Sequence, residues 1–245
     1  MKRKDQKVVA FVQARMGSTR LPGKHLLSLL DEPMLSRLFE RLKGAKTLDQ
    51  IVLATTTEPK DDCLAELAVA NKIPFFRGSS ENVLERFYQA SRLFPGEIIV
   101  RITADCPLID PALVDKTVDY FRTHRFDYVS NTQSYPRGMD TEVFSRASFE
   151  KVYNSAKTPA EKEHVTPFYY RHPELFKLGS LPKQTIPPYR LTVDTQEDFL
   201  LVSHIYEALY PQNPHFSLQD IYTVLDTHPD WHLINAHIAQ KPVGE

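Results

Sequence analysis

The apolar residues of this chain fall into short unbroken runs separated by stretches of helical period. Residues 8–12, Val-Val-Ala-Phe-Val, are enough for one buried strand and too few for a helix. Residues 51–56, 74–76, 98–102 and 126–131 read as further strands, and Glu142-Val143-Phe144 can re-enter the sheet. Between them, Met34, Leu35, Leu38, Phe39 and Leu42 line one helical face. Leu64, Leu67 and Ala68 line a second, Val83, Leu84, Phe87 and Leu93 a third, and Leu113, Val114, Val118 and Phe121 a fourth. Buried strands alternating with amphipathic helices predict an α/β fold, a three-layer α/β/α with a mixed, mostly parallel sheet. Farther on, residues 159–172 read as a helix, 175–181 as one strand of a small hairpin and 190–193 as a short strand. Phe199, Val202, Ile205, Tyr206 and Leu209 form a core helix face, and residues 217–240 read as two amphipathic helices. The expected organisation is a single domain over 1–245, with a hairpin projection at 172–190 and a helical tail at 212–245.

The ends of these elements decide which polar residues are left over for chemistry. Ser79 or Ser80 can cap the helix that carries Val83. Asp110 followed by Pro111 starts the next helix, with the proline at its first position. Thr195 with Asp198 three residues later resembles a capping box, with Asp in place of Glu. Asp105 and Asp194 are then free of capping, each directly after an apolar run, where open α/β sheets bind ligands. An uncompensated carboxylate at a buried strand end is costly, so each is expected to have a cation partner. Arg101, Lys24 or Arg190 could serve structurally, and loss of the carboxylate charge would then destabilise the fold. A divalent cation delivered with a ligand could serve instead. On that account the unliganded site holds two like charges, and Asp105→Asn should leave the protein equally or more stable.

The loop after the first strand holds Arg15, Gly17, Ser18, Thr19, Arg20, Pro22, Gly23 and Lys24. Its cations and exposed backbone N–H groups suit a polyanion such as a nucleoside triphosphate. It is not a Walker A loop: five residues separate Gly17 from Gly23, and Lys24 is followed by His25 rather than a hydroxyl. No Gly-x-Gly-x-x-Gly occurs in it either. A plain basic surface loop would explain the charge, but the glycines add the ability to wrap a ligand. Arg15 and Lys24 are both expected to be exposed.

Gln13-Ala14-Arg15-Met16-Gly17-Ser18-Thr19-Arg20-Leu21-Pro22-Gly23-Lys24 resembles the signature loop of the cytidylyltransferases that make CMP-activated acidic sugars, among them the SpsF-type spore-coat polysaccharide proteins. More motifs follow in the same order, to about residue 200. They are the Arg77-Gly78-Ser79 stretch with Asn82, Val83, Leu84 and Arg86, then Thr103-Ala104-Asp105-Cys106-Pro107-Leu108, with Ala104 where the family carries glycine. Gly138-Met139-Asp140-Thr141-Glu142-Val143-Phe144, Glu163-His164-Val165-Thr166-Pro167-Phe168 and Val193-Asp194-Thr195-Gln196-Glu197-Asp198 complete the series. The resemblance implies the nucleotide-diphospho-sugar transferase fold, of GT-A or Rossmann-like type, with CTP as donor, a sugar as acceptor and Mg2+. It implies nucleotide contacts from Gln13, Ala14, Arg15, Gly17, Ser18, Arg20, Lys24, Arg77, Gly78, Asn82 and Thr103. Sugar contacts would come from Arg101, Asp140, Glu142 and His164, and metal contacts from Asp105 and Asp194. Arg15, Lys24, Asp105 and Asp194 would carry catalysis. Read without the resemblance, Asp140 and Glu142 could equally be solvated loop acids and His164 a structural histidine beside aromatics. In relatives a projection like 172–190 forms a homodimer contact.

Composition narrows the classes. Lys and Arg number 30 against 31 Asp and Glu, so no overall basic field favours nucleic acid. No apolar run reaches the ~20 residues of a membrane helix, and residues 8–12 are too short for a signal-peptide core. A cytoplasmic location is expected. Cys63 and Cys106 have neither metal-ligand spacing nor a disulfide framework. The expected reaction is nucleotidyl transfer: a sugar oxygen attacks the α-phosphate of CTP and pyrophosphate leaves. One alternative is a glycosyltransferase of the same general fold, which usually holds metal through an Asp-x-Asp motif not found here near a strand end. The other is a non-catalytic nucleotide-binding module, against which the pair Asp105 and Asp194 argues.

Overall fold

The computed structural model describes residues 6–183 and 189–240. The elements run β1 (Val8–Gln13), β2 (Ser28–Leu29), β3 (Glu32–Pro33), α1 (Met34–Leu42), β4 (Gln50–Thr56), α2 (Asp62–Ala70), β5 (Phe75–Gly78), α3 (Val83–Leu93) and β6 (Ile98–Thr103). They continue as α4 (Pro111–His124), β7 (Tyr128–Ser130), β8 (Glu142–Ser145), α5 (Arg146–Ser155), α6 (Pro159–His164), α7 (Pro167–Arg171), β9 (Leu178–Ser180), α8 (Gln196–Leu209) and α9 (Leu218–Thr227).

Seven strands form one sheet in the order β5-β4-β1-β6-β8-β7-β9. The first four are parallel, β8 runs antiparallel to both β6 and β7, and β9 lies parallel to β7. This is the mixed, mostly parallel sheet that the alternation of strands and helices predicts. The near-continuous apolar character of β1 follows from burial on both faces. Val8, Ala10 and Val12 pack with α1, α2 and α4, while Val9 and Phe11 face α3, α5 and α7. A third core joins α8 and α9 to Met34, Met139, Leu191 and Val193. It is this core that brings the chain after residue 190 beneath the carboxyl ends of β1 and β6.

Local chemistry differs from the sequence expectation in several places. Asn82, not Ser79 or Ser80, caps α3, accepting from Glu85 N at 3.0 Å, while Ser79 Oγ accepts from Asn82 N. The cap sits one position before the first helical residue, which the serines cannot reach. Asp110 and the Thr195–Asp198 box do cap α4 and α8. Residues 159–172 split into α6 and α7 at Val165, whose φ of 71° breaks the helix. Residues 190–193 make only an isolated bridge, Arg137 to Arg190, because Val193 N bonds Asp105 O rather than a strand of the sheet. The hairpin expected at 172–190 includes 184–188, which lie outside the described residues. Its described strand, β9, extends the main sheet, since the edge of β7 is open to it. Among the described residues the tail holds one α-helix, α9, and then a 3-10 turn, Trp231–Ile234, in place of a second amphipathic helix. Among the described residues no helix is long and apolar enough to cross a membrane.

Gly138 fixes the loop before β8 against the 190–193 segment. Its φ is 101°, and a Cβ there would fall 2.3 Å from Leu191 C and 2.6 Å from Thr192 N. Both contacts are backbone and cannot swing away. Gly138→Ala is expected to lose about 3 kcal/mol or more of stability, measured by urea unfolding.

Candidate active site

The parallel strands β4, β1 and β6 end together, and the loops that leave them converge. The loop after β1 is anchored where Met16 N donates to Asp61 Oδ1 at 2.7 Å, and turns on itself where Leu21 N donates to Ser18 Oγ at 3.3 Å. Gly23, at φ 71°, turns the chain into a 3-10 turn that starts at Lys24. That turn sends the Lys24 side chain inward. Lys24 is 6% exposed, which corrects the expectation that it lies in solvent; Arg15, with a side chain 47% exposed, does lie there.

Lys24 Nζ sits between the two carboxylates that the capping argument left free. It bonds Asp194 Oδ1 at 2.9 Å and Val193 O at 2.7 Å, and lies 3.5 Å from Asp105 Oδ2. The two carboxylates therefore share one ammonium, and these oxygens are no farther apart than the sum of the two ion-pair distances. Asp194 Oδ2 is also held by Arg20 at 2.8 Å and Arg190 at 2.9 Å. Asp105 is placed by its backbone, whose carbonyl accepts from Val193 N at 2.8 Å and Thr192 Oγ1 at 3.1 Å. Burial alone would raise the Asp105 carboxyl; the Lys24 ammonium and the Thr103 hydroxyl overcome it and hold the group at about 2. Lys24 shows the reverse balance: burial lowers it, and Asp105 and Asp194 more than restore it. The unliganded site is therefore compensated rather than strained by like charges. The stability sign expected from the divalent-cation account, in which Asp105→Asn costs nothing, is corrected accordingly.

A second group of residues lines the other side of the cleft. Arg101 pairs with Glu142 across β6 and β8, where the two stand in register, and donates to Gln13 Oε1 at 3.1 Å through Nη2. Glu142 also accepts from Tyr128 Oη at 2.5 Å, so both its oxygens are engaged. This is a buried, mutually satisfied network and not the solvated loop acid that Glu142 could have been. His164, half-buried, is lowered by burial and by the cations Arg101, Arg171 and Arg15 around it, against Glu163. Asp140 accepts from Gly138 N and Arg137 Nη1, both at 3.2 Å. Burial, with Asp105 and Glu142 adding to it against Arg137, raises Asp140 to about 6. Ionising Asp140 is thus less favourable in the folded chain than in the unfolded one. The cost builds as pH rises from about 4 to about 6 and persists above. Asp140→Asn should therefore stabilise the protein at pH 8 by about 1–2 kcal/mol and change little at pH 3.5, read by thermal melts at both.

Arg15, Ser80, Glu81, Asn82, Lys157, Pro159, Lys162 and Glu163 line a pocket of about 560 Å³ beside this network. Ala14 and Thr103 lie at the strand ends beneath the loop, and Gly17 at its exposed tip. Arg77 and Gly78 stand apart from the converging side chains. Arg77 donates to Thr56 O and Glu58 O and pairs with Asp62 at 2.6 Å, so its guanidinium holds the loop after β4. Gly78 leaves room for Phe76 and Arg86, where a Cβ would come within 2.8 Å of the Phe76 ring.

Sequence reasoning assigned no task to two residues that the structure brings to this site, Asp61 and Arg86, and named a third, Arg190, only as a possible cation partner. Asp61 is fully buried, bonds Thr56 Oγ1 and anchors Met16. Arg86 is fully buried, donates to Ser79 O, and leaves Nε and Nη2 without a hydrogen-bond partner among the described residues. Burial and the nearby Arg15, against Asp61, lower Arg86 to about 10. Arg190 grips Asp198 at 2.9 Å as well as Asp194. Arg86 stood in the quoted Arg77 motif, and Arg190, expected as a possible structural partner of the free carboxylates, does pair with Asp194.

Among the described residues no cluster of three or more His, Cys, Asp or Glu side chains could hold a metal. Two hard carboxylates that share one ammonium, beside a loop rich in N–H donors, fit by their chemistry an ion that takes its remaining ligands from water and phosphate, as magnesium does.

Residues 9–223 match the model of a family described as cytidylyltransferase. An uncharacterised protein of Methanocaldococcus jannaschii is 40% identical over 98% of both chains. The spore coat polysaccharide biosynthesis protein SpsF of Bacillus subtilis is 32% identical over 91% of this chain and 95% of its own. The solved structure of a cytidylyltransferase from Leptospira borgpetersenii serovar Hardjo-bovis superposes with a TM-score of 0.88 at 35% identity, covering 96% of this chain and 99% of its own.

Proposed function

The chain belongs to the cytidylyltransferase family, and from that premise we propose that it transfers CMP from CTP to an acidic sugar, releasing pyrophosphate, in the synthesis of a cell-surface or spore-coat polysaccharide. The observation that carries the proposal is Lys24 Nζ lying between Asp105 and Asp194 under a loop with two more cations. In the unliganded chain Lys24 and Arg20 neutralise these carboxylates. A triphosphate entering the loop offers both cations, and Arg15, a more highly charged partner. The carboxylates so released are where Mg2+ would be held with the phosphate oxygens. Held there by Asp105 and Asp194, the ion would supply Lewis-acid polarisation of the phosphate and would lower the pKa of the attacking hydroxyl.

The chain's own groups do the rest. The sugar oxygen forms a bond to the α-phosphorus as the bond to the bridging oxygen breaks, and the electron pair leaves with pyrophosphate. Arg15, Arg20 and Lys24 hold the β- and γ-phosphates in line and offset the charge that builds on them. Gln13, Ala14, Gly17, Ser18, Asn82 and Thr103 frame the nucleotide, and Arg86, buried beneath Ser79, supports the turn that carries Asn82. Arg101, Asp140, Glu142 and His164 face the acceptor. Arg77 and Gly78 act at one remove, by holding the loops that carry these groups.

The base is tested by thermal stabilisation. At a hundred times its Kd a ligand stabilises by about 2.7 kcal/mol, so CTP with magnesium should raise the Tm by several degrees. UTP, GTP and ATP at equal concentration should raise it far less. Equal shifts with all four would remove the assignment of cytosine.

A further inference from the structure

We propose that the segment after α9 is part of the active site: Asn235, with Gln240, fixes Arg190 and Asp198 so that Asp194 is presented to the nucleotide. Asn235 is a positioning residue, and the inference rests on the reading of Asp194 as a carboxylate that holds the divalent cation. The segment lies beyond residues 9–223, the part that matches the family.

Asn235 is 1% exposed. Its Nδ2 donates to Asp198 Oδ1 at 2.8 Å and to Arg190 O at 2.9 Å, which uses both of its N–H groups. Arg190 returns two bonds to Asp198, from Nε at 2.9 Å and from Nη2 at 3.1 Å. Its Nη1 donates to Gln240 Oε1 at 2.7 Å, and Nη2 reaches Asp194 Oδ2 at 2.9 Å. Asp198 Oδ2 in turn accepts the backbone N–H of Asp194 at 2.9 Å. The guanidinium fork is therefore oriented by acceptors on α8 and on the tail before it meets Asp194, and the Asp194 backbone is fixed by the same buried carboxylate. The tail is docked by Trp231, whose ring stacks on His228 at 4.2 Å and on His204 of α8 at 5.1 Å.

Chemistry explains the residue types. Asp198 is wholly buried and paired with Arg190, and its oxygens accept hydrogen bonds, so its neighbour must donate and carry no negative charge. An asparagine amide does both, and its second N–H satisfies the Arg190 carbonyl. Without it, Arg190 and Asp198 are free to shift, and Asp194 moves with them. Partners that orient a metal-holding carboxylate typically change metal affinity by tenfold or more when removed.

The test is Mn2+ binding to the full chain in the presence of CTP, followed by electron paramagnetic resonance at 20 °C, with thermal melts alongside. Asn235→Ala should raise the Mn2+ dissociation constant about tenfold. Gln240→Ala, at an exposed position and so without folding risk, should raise it about threefold. Asp194→Asn should weaken Mn2+ most. A lowered Tm with wild-type Mn2+ affinity in Asn235→Ala and Gln240→Ala, while Asp194→Asn is impaired, would make the tail merely structural and overturn the inference alone. Undiminished Mn2+ binding in Asp194→Asn would overturn the metal reading and the inference with it.

Discussion

Lys24→Ala is expected to lower stability by about 3 kcal/mol and to cut kcat/KM for CTP by about a thousandfold. The stability loss follows from burial: Lys24 is 6% exposed, and its ammonium is the nearest cation to Asp105 and one of three on Asp194. Removing one partner of a buried ion pair leaves the other charge uncompensated, at a cost of about 3–5 kcal/mol. Arg20 and Arg190 remain on Asp194, so the lower end applies. The rate loss follows from position. Removing one preorganised donor to a developing anion typically costs about a hundred- to a thousandfold, and here the same change also leaves the carboxylates to repel the triphosphate. Arg15→Ala supplies the contrast. Its side chain is half in solvent, and its ion pair to Glu163 is 3.9 Å long. It should lose roughly ten- to hundredfold in kcat/KM, the worth of one charge-assisted contact, with no change in Tm. Urea unfolding and steady-state kinetics on both variants separate the two roles. A Lys24→Ala protein as stable as wild type would contradict the buried bridge.

Asp105→Asn should abolish turnover and, in contrast to a site strained by like charges, should also destabilise the unliganded protein. Asp105 is held at about 2 in the folded chain against an ordinary 3.8. A depressed folded pKa means that ionisation favours folding above the unfolded value. The contribution is about 2 kcal/mol at pH 7 and disappears as pH falls from about 4 to about 2. The variant should therefore unfold more easily than wild type at pH 7, and the two should converge near pH 2. An Asp105→Asn protein more stable than wild type at pH 7 would restore the picture of mutual repulsion. One that kept its activity would remove Asp105 from the catalytic machinery.

Much of this site was legible in the sequence because helix capping is local. Asp110 and Thr195 could be recognised as caps from their neighbours alone, and that left Asp105 and Asp194 as carboxylates without a structural task. The burial of Lys24 could not be read this way. Its partner Asp194 is 170 residues distant, and only the third core, which carries Val193 beneath the loop, brings them together. Asp198 was half legible: the capping box accounts for its bonds to the start of α8 but conceals the ion pair with Arg190. Arg77 shows the converse. It stands at a strand end, where ligands bind, yet two carbonyls and Asp62 claim its guanidinium. The tail looked inert because its contribution is an asparagine and a glutamine, residue types that announce no chemistry until their partners are known.

The most direct test of the account is pyrophosphate release, measured with CTP and magnesium against a panel of sugar acids and their neutral counterparts. The account predicts pyrophosphate in stoichiometric amount with the CMP-sugar, from CTP in preference to UTP, with a sugar acid as acceptor, and none from Asp105→Asn or Asp194→Asn. Release at the wild-type rate from either variant, or transfer from a nucleotide-sugar donor without any pyrophosphate, would contradict it.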